Sequence, residues 1–444
     1  MQIISGLDYT KGKYTKEDRI LLINPPVVET RYQWSRWNQP LDLLKLGNFL
    51  KTEFGCDVKL FDFMLPLGGK VPRAGYRTEP TITIGDYSYT LWRWGRKEEE
   101  FIKWFDRLLT RWRPTDVWIT SLTSYWWKGV KDTVISVKNQ LNEANIVLYG
   151  QYPELETEHA EKYSSADVLI NRKIELKDYS ADHTLYEEAK PDFCALDART
   201  PDWHKYVLER FQAGITDFVF FNDPVIEEPS DLLLRELRML KEQMSGISSK
   251  RRIKFYGICG LYPGSFTKNI AKEMKEAGFT ELHFEYQTDS EELNIDAYKK
   301  AKEAYDEAEF RLNPDQVSGF VNIGLPKESP ERIIKHALNL FEIFGSVILK
   351  PYTPTPKSAD YERYKDVLET KRIERLGPHF FPFSKLNDIS LEDYQELYTL
   401  AASLNRKVRN KSFNSFPGTL AFKMIKTSLE REVWRLGDEK STAH

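Results

Sequence analysis

Three thiols, Cys56, Cys194 and Cys259, are the residues of this 444-residue chain whose chemistry would suit an iron–sulfur cluster. A cluster needs cysteines that converge on it, and these three form no CxxC or CxxxCxxC pattern. They are expected to be buried small hydrophobes, and no metal-ligand set is predicted. The other residues able to bind something stand in three loops. Asn24 and Pro25 follow an apolar run, Thr120, Ser121 and Thr123 lead into Tyr125 and Trp126, and Gly150 and Tyr152 follow a third run. Hydroxyls and an amide can hydrogen-bond a polar group, aromatic rings can cover a flat one, and a glycine lets backbone approach it closely. The same three hydroxyls would also serve as caps for a helix near Gly129. Glu156, Glu158 and His159 would also serve as a solvated helix face.

These loops belong to a regular alternation. Arg19-Ile-Leu-Leu-Ile-Asn24 is a buried-strand run stopped by two prolines, residues 40–54 form an amphipathic helix with proline at its start, and residues 57–62 form a second strand. Residues 98–113, 129–142 and 154–163 are expected as helices, and residues 116–121, 146–150 and 167–170 as strands. The reading is a doubly wound parallel sheet, whose ligands bind outside the carboxyl ends of its strands. Residues 64–96 break the rhythm with glycines, prolines and aromatics, and read as an irregular insertion. Residues 1–18 read as a polar lead-in, and residues 171–189 as a linker.

Composition sets the outer limits. Lys+Arg 64 against Asp+Glu 67 gives a net charge of −3, which excludes a general nucleic-acid binder and leaves room for a local basic patch. With 41% hydrophobic and 30% charged residues the chain reads as a soluble protein of two or three domains. No apolar stretch approaches the roughly 18 residues of a membrane span, and the first residues are too polar for a secretory signal. The expected compartment is the cytoplasm.

The second half repeats strand, glycine and helix, and its motifs carry a resemblance. Ser290-Glu-Glu-Leu293, Ile323-Gly-Leu-Pro-Lys-Glu-Ser329 and Tyr352-Thr-Pro-Thr-Pro356 resemble the barrel of radical S-adenosylmethionine (SAM) proteins. In particular they resemble the group with an N-terminal cobalamin-binding domain. Ile23-Asn-Pro-Pro26, Ile119-Thr-Ser-Leu-Thr-Ser124 and Tyr149-Gly-Gln-Tyr-Pro153 resemble that domain's loops. The resemblance implies a flavodoxin-like cobalamin-binding domain over residues 19–172, a linker over 173–200, a partial βα barrel over 201–361 and a helical region over 362–437. It implies cobalamin held by Asn24, Pro25, Thr120, Ser121, Thr123, Tyr125, Trp126, Gly150 and Tyr152, with Gly150 making room for the nucleotide base. The other well-known cobalamin pattern, Asp-x-His-x-x-Gly, is absent, so no histidine is expected on the cobalt.

The family's cysteine loop is missing as well. Residues 190–197 match the lead into the barrel, after which the chain runs straight into a helix at 203–212, as if the first barrel strand and its loop had been deleted. No [4Fe–4S] cluster is expected, and SAM loses its main anchor. The implied function is a cluster-less, cobalamin-binding relative of radical SAM methyltransferases that handles corrinoid or substrate, or works beside a complete partner enzyme. A cobalt-only methyl-transfer enzyme and a structural subunit with both sites empty are the alternatives. A deleted strand would leave residues 217–222 as an open sheet edge, to be covered by residues 76–94, by residues 378–383, by a second protein or by another copy of the chain. Neither nucleic acid nor membrane is expected as a partner.

Overall fold

The computed structural model describes residues 1–30, 39–65, 77–84, 87–187, 191–221, 231–246, 251–285, 294–313, 316–366, 373, 386–387 and 389–409. The chain forms two compact units, Met1–Phe218 with Pro354–Phe380, and Val219–Thr353 with Phe381–His444. It is a mixed α/β protein built on parallel sheets.

The first unit begins with β1 (Gln2–Ser5), α1 (Gly6–Thr10), β2 (Arg19–Asn24), β3 (Val27–Thr30), α2 (Leu41–Phe54) and β4 (Asp57–Asp62). Next come β5 (Arg77–Ile84), β6 (Tyr87–Trp94), α3 (Glu98–Leu109), β7 (Asp116–Ser121), α4 (Trp127–Gln140), β8 (Asn145–Gly150), α5 (Gln151–Leu155), α6 (Thr157–Tyr163) and β9 (Val168–Arg172). The main sheet is parallel, in the order β1-β9-β8-β7-β2-β4, so the direction of winding reverses between β2 and β7. The continuous apolar run of β2 follows from this position. Ile20 and Leu22 enter one core with Leu43, Leu44 and Leu50 of α2, while Leu21 and Ile23 enter the other with Phe101, Phe105 and Val130. A strand covered on both faces has no polar side to show. Gly55, at φ 72°, ends α2 in the left-handed conformation, and its N–H bonds back to Lys51.

Three stretches differ from the sequence reading. The polar lead-in is ordered: β1 pairs with β9, and Tyr9, Lys13 and Tyr14 all converge on the buried Asp116. A strand of four residues and a helix of five are too short to show a period. The stretch read as a linker contributes Ile174, Leu176 and Leu185 to the core on the α2 side. The insertion is a small antiparallel sheet, β3-β6-β5, in which β3 starts directly after Pro25-Pro26. Glycine and proline content hid its pairing, which is antiparallel and partly long-range.

The unit continues with β10 (Phe193–Leu196), α7 (Trp203–Gln212) and β11 (Asp217–Phe220), and the division between the units falls inside β11. The second unit holds α8 (Asp231–Met244), β12 (Lys254–Leu261), α9 (Lys268–Ala277), β13 (Phe279–Phe284), α10 (Ile295–Glu307), β14 (Val317–Ile323), α11 (Pro330–Phe344) and β15 (Val347–Pro351). After α12 (Ala359–Tyr364), which belongs to the first unit, α13 (Leu391–Arg409) packs on β15. The second sheet runs β10-β11-β12-β13-β14-β15, with β12 to β15 parallel. Helix α11 has the ends its sequence announces: Ser329 caps it, Pro330 is its first residue, and Gly345 stops it at φ 74°.

The expected deletion is thereby corrected. β10 occupies the position beside β11, so residues 217–220 are not a sheet edge. The edge belongs to β10, and it is closed from within the first unit. The Gln39 side chain donates to Phe193 O at 2.8 Å and accepts from Ala195 N at 2.8 Å, taking the place of a neighbouring strand. Residues 222–223, 378–383 and the expected helix over 421–436 lie outside the described residues.

Candidate functional site

The carboxyl ends of β2, β7 and β8 lie where the strand order reverses, which is where an open α/β sheet takes its ligands. Asn24 ends β2. It is 4% exposed, and its amide N–H donates to Asp62 Oδ1 at 2.7 Å. Asp62 also accepts from Met64 N at 2.8 Å and, through Oδ2, from the Tyr186 hydroxyl at 3.0 Å. Burial and the neighbouring Asp62 carboxylate push the Tyr186 phenol well above its ordinary range. The Pro25-Pro26 turn then lies on α4 so closely that a Cβ at Gly129 would stand 1.8 Å from Pro26 O.

At the end of β7, Thr120 and Ser121 are buried, and the Ser121 hydroxyl donates to Thr123 O. None of the three hydroxyls caps α4: its N-cap is Trp126, which has no side-chain cap bond. Tyr125 is half-buried, and its phenol is pushed up by burial and by the Glu29 carboxylate. The Trp126 indole N–H donates to the buried Glu29 Oε2 at 3.2 Å, tying the turn to β3. Gly150, at φ 103°, pairs in register with Ser121. A Cβ on it would meet Ser121 O at 2.8 Å and Thr120 Oγ1 at 2.9 Å. Tyr152 is fully buried in the core on the α4 side, with its hydroxyl 2.8 Å from His159 Nδ1.

Asn24, Pro25, Ser121 and Trp126 therefore line one crevice, with Pro26, Val27, Met64 and Leu122. Thr120, Thr123, Tyr125 and Gly150 do not line it, and Tyr152 lies in the core. The crevice is partly open, and its room for water is about 10 Å³, close to what one water molecule needs. Sequence reasoning missed the parts played by Glu29, Asp62, Tyr186 and Gly129, which folding places behind the lining residues Trp126, Asn24 and Pro26. A buried carboxylate at position 29 or 62 leaves no periodic signal.

A second cluster surrounds β10. Lys45 of α2 is 4% exposed and reaches Asp197 Oδ2 at 2.9 Å and Thr200 Oγ1 at 2.8 Å. Burial works against the Asp197 charge, but the Lys45 ammonium and further hydrogen bonds hold its carboxyl below the usual range. Beside it, buried His183 bonds Gln39 Oε1 through Nε2 at 2.6 Å and the Tyr206 hydroxyl through Nδ1. Burial lowers His183 to about 4, so the ring is neutral at pH 7. Burial also raises both Cys194 and Cys56 to about 11, above the ordinary thiol range.

In the second unit, the turn after β14 is satisfied by its own chain. Glu328, 2% exposed, accepts from Gly324 N at 2.9 Å and Leu325 N at 3.0 Å, and burial raises it to about 7. On the sheet, His283 lies between Ser318 Oγ at 2.6 Å and Glu281 Oε1 at 2.7 Å, and Lys350 pairs with Glu285 at 2.8 Å. These side chains form closed pairs on strands whose other face is apolar.

Comparison with known proteins finds likeness in structure alone. No known sequence family and no curated protein matches the chain. Two structures of the radical S-adenosylmethionine methyltransferase TsrM from Kitasatospora setae have a similar fold. The one with cobalamin and a [4Fe–4S] cluster bound superposes with a TM-score of 0.51 at 11% identity, over 79% of this chain and 79% of that one. The one with tryptophan and a SAM analogue bound gives 0.50 at 10% identity, over 79% and 77%. The likeness extends over both units and establishes the fold.

Proposed function

We propose that this chain is a cluster-less relative of the radical SAM methyltransferases, one that serves methyl transfer by handling substrate beside a complete enzyme rather than by cleaving SAM itself. The proposal reads the first unit as a flavodoxin-like domain and the second as a barrel-type βα unit, and the TsrM likeness supports both. The observation that carries it is the junction between β10 and α7. Residues 197–202 contain no cysteine, are shorter than the CxxxCxxC pattern, and are fastened by the Lys45–Asp197–Thr200 cluster. A cluster supplies the electron that breaks the carbon–sulfur bond of SAM, and it is held by cysteines that converge on it.

The test is anaerobic reconstitution with iron and sulfide, followed by iron analysis and electron paramagnetic resonance of the reduced protein. The expected result is iron far below stoichiometry and no cluster signal. About four irons per chain with the spectrum of a reduced [4Fe–4S] centre would overturn the reading.

A further inference from the structure

The sequence resemblance implies a corrinoid in the first unit, yet the described residues of its three loops do not form a place for one. A glycine that leaves room for a ligand has open space where its Cβ would be. At Gly150 that direction is filled by Ser121 O and Thr120 Oγ1, 2.8 and 2.9 Å from the missing atom. Its positive φ and its pairing with Ser121 account for the glycine without any ligand. At Gly129 the absent side chain admits Pro26 O, so the turn after β2 rests directly on α4. Trp126, fixed to Glu29, lines the crevice beside these junctions, whose room for water is about 10 Å³. One water needs roughly that much, so a benzimidazole ring does not enter, and still less a corrin. The hydroxyl of Ser121 is turned to Thr123 O rather than outward.

We infer that Ser121–Gly150 and Pro26–Gly129 are closed junctions, and that the crevice the described residues form beside them takes neither the nucleotide tail nor the macrocycle of a corrinoid. The inference is independent of the missing cluster, since it concerns other residues and another cofactor.

The full chain is incubated with hydroxocobalamin and, separately, with aquacobinamide, which has no nucleotide tail, and passed through a desalting column. Neither corrinoid should elute with the protein above the level carried by a control protein of similar size. Gly150→Ala should lower the melting temperature, and by the same amount with and without hydroxocobalamin. Stoichiometric retention of either corrinoid by the wild type overturns the inference. A Gly150→Ala protein as stable as the wild type overturns it as well, because the junction would then not be closed by that glycine. Iron reconstitution reads a different property, so these results and that one fail separately.

Discussion

Two buried titratable groups carry opposite pH dependences, one in each unit. Burial lowers His183 to about 4 from an ordinary value near 6.5, so the folded protein resists a proton that the unfolded chain accepts. The stability this represents is complete above pH 6.5 and is lost as pH falls toward 4, a change on the order of 3 kcal/mol. His183→Phe should flatten urea midpoints over that range while weakening the protein at pH 8, where Gln39 and Tyr206 lose a partner. An unchanged slope would contradict the assignment. Glu328 is the reverse case, raised by burial to about 7. Its favourable contribution is complete below about pH 4.5 and is lost as pH rises through 7. Glu328→Gln keeps an acceptor oxygen for Gly324 and Leu325 and cannot ionise. The variant should match the wild type near pH 4.5 and exceed it at pH 8 by on the order of 1–3 kcal/mol, read from chemical denaturation.

Among the elements, α2 and β10 depend on each other most directly. Lys45→Met would leave the partly buried Asp197 with only the exposed Arg199 guanidinium, 3.0 Å away, as its cation, which should cost at most about 3–5 kcal/mol. Replacing both, as Lys45→Met with Asp197→Leu, should recover most of that loss, because an apolar pair of similar volume needs no compensation. Failure of the double variant to recover would place the cost in packing rather than charge. Gln39→Leu removes the group that completes the edge of β10. The Ala195 amide then keeps only its longer bond to His183 Nε2 at 3.2 Å, so it should exchange with solvent faster, at a cost of about 0.5–1.5 kcal/mol for the lost hydrogen bond. The lead-in is structural too. Removing residues 1–14 strips β1 from β9 and leaves Asp116 without Tyr9, Lys13 and Tyr14, so the shortened chain should melt earlier and aggregate through the exposed edge of β9.

Over the whole molecule, the tryptophans separate the two units as reporters. Apart from Trp434, every tryptophan lies within the ranges of the first unit. Fluorescence-detected unfolding should therefore follow His183→Phe and be little altered by Glu328→Gln, while far-ultraviolet circular dichroism should respond to both. Equal shifts of the fluorescence midpoint by the two variants would contradict this division. Among the described residues, no helix is long and apolar enough to cross a membrane.

The sequence by itself determined the strands and helices whose pattern is local. The apolar run of β2, the periodic leucines of α2, and the Ser329-Pro330 start and Gly345 stop of α11 are all legible because each depends on neighbours within one or two turns. It also set the cysteine spacing, which argues against a cluster loop without any coordinates. Tertiary structure decided what those residues do. Gly150 and Gly129 look the same in sequence whether they admit a ligand or the chain's own backbone, and only the positions of Ser121 and Pro26 show the second. β10 was hidden because a four-residue strand has no period, and its edge is completed by a side chain from position 39. Burial of Glu29, Asp62 and His183 likewise comes from distant segments meeting, and that meeting, rather than residue type, sets their partners and keeps the His183 ring neutral.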